Sequence, residues 1–166
     1  MILPFSQQFD GKPTFFIYKI WNGLINEGRF TYSDYNKYLR KYDEKFKKTW
    51  DLPEPAADLQ PIIKKHTMRE DLSDRYKVGC KLHMYVNNRQ KTAFNFLPVI
   101  ECVSIQRCTI QYIDNTPQIH VDGKMLKCFE IKKLAKNDGF DSVEDFFKWF
   151  NKDWTGKIIH WTSLKY

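Results

Sequence analysis

The sequence predicts an α+β fold: a small, partly closed, mostly antiparallel β-barrel flanked by helices, with an N-terminal helical extension. Three observations carry this. Two amphipathic helical stretches lie before residue 50, strand-like runs cluster in the middle of the chain, and two further helices precede a closing alternating segment. The turns between the strand-like runs are of hairpin length, too short for parallel crossovers, so antiparallel pairing is expected.

In the first stretch, Phe16, Ile17, Ile20, Trp21, Leu24 and Ile25 recur every three to four residues and form one face of a helix. A second helix fits Ser33 to Lys48, with Ser33 as its cap and Tyr35, Tyr38, Leu39, Tyr42 and Phe46 as its apolar stripe. Pro53 and Pro55 bar a helix from Asp51 to Ala57, which reads as a connection into the main body. Lys77-Val78-Gly79 reads as a turn, and Cys80 to Val86 alternates as a strand with Leu82, Met84 and Val86 on one face. Asn87-Asn88-Arg89 suits a hairpin tip because Asn tolerates positive φ. Phe94 to Tyr112 supplies two strands, with turns at Asp114 to Pro117 and Val121 to Lys124, for about six strands in all. A short helix near Glu130 to Lys136 ends at Gly139, and Asp141 opens the next, with Glu144 completing a capping box. Val143, Phe146, Phe147 and Phe150 are its expected buried face, and Lys157 to Tyr166 reads as the closing strand. Residues 1–59 are therefore expected to be a helical extension packed on a barrel domain of residues 60–166.

With 42% hydrophobic and 28% charged residues, the 166-residue chain has the makings of a packed core and is not disordered throughout. No apolar run approaches the ~20 residues of a membrane span. The N-terminus lacks a basic region leading into an apolar stretch, so no membrane association and a cytoplasmic location are expected. None of Cys80, Cys102, Cys108 and Cys128 forms a Cys-x-x-Cys pair, which argues against structural zinc. Their apolar neighbours suggest buried free thiols in a reducing compartment, and no metal or cofactor is expected. Of the net charge of +7, residues 61–100 hold +5, from eight basic and three acidic groups. Such a field favours an anionic partner, nucleic acid or nucleotide first; a solubilising surface is the alternative.

The densest polar cluster runs from Lys64 through Thr67 and Arg69 to Glu70 and Asp71, followed by Arg75 and Gly79. By itself it reads either as a charged loop leading into a strand or as three groups facing one anionic or carbonyl-bearing ligand. Lys64-x-x-Thr67-x-Arg69, with the acidic pair, Arg75 and the Gly79 turn behind it, resembles the Gly-x-Lys-x-x-Thr-x-Arg signature of the ASCH domain family. Leu134 to Ser142, followed by a helix carrying Phe146, Phe147 and Phe150 and a final strand, is similar to the family's C-terminal portion. The two stretches stand in the family's order and span residues 60–166. Ile62 stands where the family signature has glycine.

The resemblance implies a PUA-like β-barrel with a cleft at the Lys-Thr-Arg loop, and ligands of the RNA, nucleotide or modified-nucleoside kind. Some members similar in this motif are amidohydrolases that remove an acyl group from the exocyclic nitrogen of N4-acetylcytidine; others are linked to RNA binding or cleavage. Carried over residue by residue, Thr67 is the nucleophile and Lys64 its base, and Asp138 stands where those enzymes have a proton-donating glutamate. A threonine hydroxyl needs such a base. A lysine serves only if burial or a nearby cation such as Arg69 lowers its pKa from ~10.4. A nearby carboxylate opposes that lowering, and Asp138 reads equally as an acidic residue at a helix-to-loop turn. Arg69 can hold a phosphate or a base carbonyl through its planar fork. Arg75 and His83 complete the expected ligand-binding set, His83 sharing a strand face with Tyr85. His66 occupies the motif's variable position and is expected to turn outward. Trp21, Tyr76, Tyr85 and Trp161 either stack on a base or simply pack.

Three functions follow as expectations. The first is recognition of an RNA-derived nucleotide or modified nucleoside by Lys64, Thr67, Arg69 and Asp138. The second is acyl-amide hydrolysis at cytidine by Lys64, Thr67 and Asp138, and the third is binding of structured RNA along the basic 61–100 segment.

Overall fold

The structure, a computed structural model, describes residues 1–53 and 63–166. Part of the connection expected at Asp51 to Ala57, and Ile62, lie outside the described residues. In chain order the elements are β1 (Ile2–Phe5), β2 (Gln8–Phe9), β3 (Lys12–Pro13), α1 (Phe16–Asn26), α2 (Tyr32–Phe46), β4 (His66–Arg69), β5 (Lys81–Val86), β6 (Phe94–Asn95), β7 (Ile100–Glu101), β8 (Ser104–Ile113), β9 (Thr116–Val121), β10 (Lys124–Met125), α3 (Cys128–Asn137), α4 (Val143–Trp149) and β11 (Trp154–His160). They divide between two units: Met1–Lys64 with Lys81–Ile100, and Lys65–Cys80 with Glu101–Tyr166. The N-terminal helices thus share their unit with the segment 81–100. Among the described residues, no helix is long and apolar enough to cross a membrane.

In the first unit, α1 buries Phe16, Ile17, Ile20, Trp21 and Leu24, the face its periodicity marks. Trp21 satisfies its indole by donating to Phe96 O at 3.0 Å. α2 is capped by Thr31 rather than Ser33. The Thr31 hydroxyl accepts from the Asp34 amide, and the Asp34 carboxylate accepts from the Thr31 amide, a reciprocal box that Ser33 cannot make. Tyr35, Tyr42, Trp50 and Phe94 meet edge-on. β5 alternates as expected, with Leu82, Met84 and Val86 buried and His83 and Tyr85 half-buried. Its neighbour β1 was not foreseen and runs parallel to it, Ile2 opposite His83 and Phe5 opposite Val86. Antiparallel pairing is thus the majority pattern and not the universal one.

The second unit holds an antiparallel sheet in the order β10-β9-β8-β11-β4. Asp114-Asn115 and Asp122-Gly123 make its tight turns with both central residues at positive φ, the two-residue geometry that matches strand twist. α3 starts at Cys128, earlier than expected, and ends in a Schellman motif: Phe140 N–H reaches Ala135 O, Gly139 N–H reaches Lys136 O, and Gly139 takes φ 89°. α4 is capped by Ser142, whose hydroxyl accepts from the Asp145 amide, not by Asp141 with Glu144. Phe146 and Phe150 are buried, while Phe147 and Val143 are only half so. β11 ends at His160 and does not run to Tyr166.

The expected barrel is not seen. Among the described residues the sheets are open, and the five-stranded one ends in the two-residue β10 on one side and the four-residue β4 on the other. Among the described residues eleven strands stand where six were expected, because five of them are only two residues long and carry no alternation to read.

Candidate functional site

β4, the edge strand, contains the Thr-x-Arg part of the motif. Its register with β11 sets His66 opposite His160, Thr67 opposite Ile159, Met68 opposite Ile158 and Arg69 opposite Lys157. β8 extends all four rows, with Ser104 beyond His160, Ile105 beyond Ile159, Gln106 beyond Ile158 and Arg107 beyond Lys157. Side chains alternate across a strand, so His66, His160 and Ser104 share one face. Thr67 and Ile159 lie on the other, with the cationic row Arg69, Lys157 and Arg107.

The two stretches that carry the family resemblance meet here. The Lys65 amide donates to Asn137 O at 2.7 Å, docking the end of α3 on the start of β4. One residue on, Asp138 is 3% exposed and its Oδ1 lies 3.5 Å from His66 Nδ1. His66 is not turned outward: it is fully buried, and its Nε2 lies 2.7 Å from the Tyr166 hydroxyl, which accepts from Asn137 Nδ2 at 3.0 Å. Gln106 clamps the Tyr166 backbone, accepting from its amide and donating to its carbonyl. Burial pushes the Tyr166 phenol well above its ordinary value, which makes it a neutral hydroxyl. His160, its ring 5.3 Å from that of His66, is pushed down to about 3 by burial and then by the neighbouring His66 and Lys165, so it is a neutral imidazole.

Arg69 is half-buried, with its Nε sealed from solvent and its Nη1 donating to Met68 O at 3.0 Å. Burial lowers its pKa while the negative potential of Asp138 and Tyr76 opposes this; a guanidinium remains a cation. The loop after β4 is anchored by Asp71, whose buried carboxylate accepts from the amides of Arg75 and Tyr76, both at 2.9 Å, and from Lys157 Nζ at 2.8 Å. Burial alone would raise that carboxyl, but Lys157 and the two amides bring it down to about 2.

The other expected residues are placed as follows. Thr67 is buried on β4, on the face opposite His66. The Arg75 side chain is 62% exposed and lies 3.6 Å from Asp71 Oδ1. Lys64 and His83 belong to the first unit. There Lys64 is 1% exposed, its amide donates to Lys19 O at 2.9 Å, and its ammonium sits 4.6 Å from the Phe16 ring centre. Gly23 admits its backbone: a Cβ at that position would stand 2.8 Å from Lys64 O. His83 is half-buried on β5 and donates its amide to Met1 O.

Sequence reasoning missed His66, Asn137 and Tyr166. A strand assignment for residues 66–69 would have set His66 and Met68 on one inward face; nothing local marks Tyr166. The basic segment is also not one open surface. Lys64 is buried, Arg75 and Lys77 face Asp71 and Asp74, and Lys81, Arg89 and Lys91 remain exposed. Among the described residues, no group of three or more His, Cys, Asp or Glu side chains is placed to hold a metal ion. No family model, curated protein or solved structure matches the chain.

Proposed function

We propose that the second unit recognises an RNA-derived nucleotide or modified nucleoside of the cytidine type at Arg69 and Asp138, in line with the ASCH resemblance. The observation that carries this is the docking of α3 on β4, which brings the buried Asp138 carboxyl into electrostatic range of the half-buried Arg69. A cytosine edge offers an exocyclic amine donor next to ring-nitrogen and carbonyl acceptors. A carboxylate accepts from the first and a guanidinium fork donates to the others. Asn137, His66 and Tyr166 hold the surroundings of Asp138 in place, so that side of the site is organised before a ligand arrives.

The test is titration calorimetry of the full chain with cytidine 5′-monophosphate and with N4-acetylcytidine. Arg69→Gln is expected to weaken binding at least tenfold, in keeping with the ~1.5–3 kcal/mol of a hydrogen bond to a charged group. Exchange of the exposed Lys81 for Ala should leave affinity unchanged. Absence of binding by the folded wild-type chain, or equal affinity in folded Arg69→Gln, defeats the proposal.

A further inference from the structure

Cys80 and Cys102 both lie in the second unit, although they flank in sequence the segment 81–100 that belongs to the first. Their backbones are laced together: the Cys102 amide donates to Cys80 O at 2.9 Å, and the Gly79 amide donates to Cys102 O at 2.8 Å. Cys80 lies near enough to act electrostatically on the Cys102 thiol, and Cys102 Sγ lies 3.5 Å from Ser104 O. A disulfide needs Cα atoms about 4.4 to 6.8 Å apart and side chains that face each other. An amide-to-carbonyl bond between the two residues holds their backbones side by side, the approach a disulfide requires. Access differs between them, since Cys80 is half-buried and Cys102 fully buried. The expectation of four buried thiols is thus corrected: Cys102 and Cys108 are buried, Cys80 is half-buried and Cys128 is exposed.

We propose that Cys80 and Cys102 are a site of reversible oxidation, closed to a disulfide by an oxidised low-molecular-weight thiol of the glutathione type and reopened by its reduced form. This stands apart from the ligand-binding proposal and survives its failure. In the first step the Cys80 thiol gives up its proton, and its sulfur attacks one sulfur of the glutathione disulfide. That S–S bond breaks, and one glutathione leaves as a thiolate that takes a proton. The Cys102 thiol then loses its proton, its sulfur attacks the Cys80 sulfur, and the second glutathione departs in the same way. Two protein thiols are oxidised, one small disulfide is reduced to two thiols, and protons balance. Entry is at Cys80 because it is the partner that solvent reaches. Burial, with Cys80 alongside, pushes Cys102 up to about 11, so Cys102 waits as a thiol until its neighbour carries the leaving group. The new bond pins the far end of the loop whose near end Asp71 already anchors.

The experiment exposes the full wild-type chain, and a Cys128→Ser version, to oxidised glutathione under native conditions. Non-reducing peptide mapping by mass spectrometry then follows. Expected in both is one linked peptide pair joining Cys80 to Cys102, with intact mass lower by two hydrogens and recovered on adding dithiothreitol; Cys80→Ser should abolish the link. Recovery of Cys80 as a stable mixed disulfide with Cys102 free would overturn the proposal. So would a link from either residue to another cysteine, or a folded chain in which both thiols stay reduced.

Discussion

Asp71→Asn is expected to destabilise the second unit by about 2 kcal/mol at neutral pH. The Asp71 carboxylate is sealed from solvent and accepts three hydrogen bonds, two from backbone amides and one from Lys157 Nζ at 2.8 Å. Asparagine has a single carbonyl oxygen, so it cannot serve the Arg75 amide on Oδ1 and the Tyr76 amide with Lys157 on Oδ2 together, and its NH₂ turns a donor on one side. The interaction lost is a charge-assisted bond, worth ~1.5–3 kcal/mol. Lys157 retains Asp74 and Tyr76 O as partners, so the lower half of that range applies. The pH dependence makes the prediction sharper. The carboxyl is held at about 2 in the folded chain against 3.8 when free, so on acidification the unfolded chain takes up the proton first. The stabilisation is therefore present above about pH 4 and is lost as pH falls toward 2. Urea unfolding of both proteins from pH 7 down to pH 2 should show a gap that narrows with acid. A gap independent of pH, or a variant as stable as wild type at pH 7, refutes the reasoning.

Three further outcomes are expected. Gly23→Ala should lower stability by roughly 1–2 kcal/mol in chemical denaturation, since crowding a packed site outweighs the gain in helix propensity; the new methyl meets Lys64 O at 2.8 Å. An alanine variant more stable than wild type would show that this approach yields easily. Thr31→Ala removes the cap of α2 and should cost about 1 kcal/mol, whereas Ser33→Ala should cost almost nothing; equal losses would place the cap wrongly. His160 should remain neutral from pH 7 to 5 in an NMR titration, because its folded-state pKa is pushed down to about 3 against 6.5 when free. The unfolded chain protonates first, so stability weakens as pH drops below about 6.5. A His160 ring that titrates near its ordinary value contradicts the burial argument.

Periodic elements were legible and short ones were not. The apolar faces of α1 and β5 follow from spacing alone, because each repeats its signal over several residues. The tight turns at 114–115 and 122–123 follow from Asp, Asn and Gly, the residues that accept positive φ at little cost. β1 escaped notice because four residues containing a proline give no clear alternation, and its partner lies some eighty residues away. Capping went astray by one or two residues at both α2 and α4, where neighbouring Ser, Thr and Asp all satisfy the same local rule. Only the pattern of backbone donors in the folded helix selects among them.

At the candidate site, Lys64, Thr67, Arg69 and Asp138 were marked by type and order along the chain. Chain order says which functional groups are present, since side-chain chemistry is a property of each residue. It does not say which of them share a face. Alternation along β4 placed His66 and Thr67 on opposite sides, and the β4–β11 register, a matter of backbone hydrogen bonds between residues about ninety apart, set His66 opposite His160. The packing of α3 brought Asn137 and Asp138 to His66, and the docking of the chain's last residue supplied Tyr166. Such long-range contacts depend on burial and geometry that no local window contains, which is why the acid's partners became visible only once the sheet was assembled.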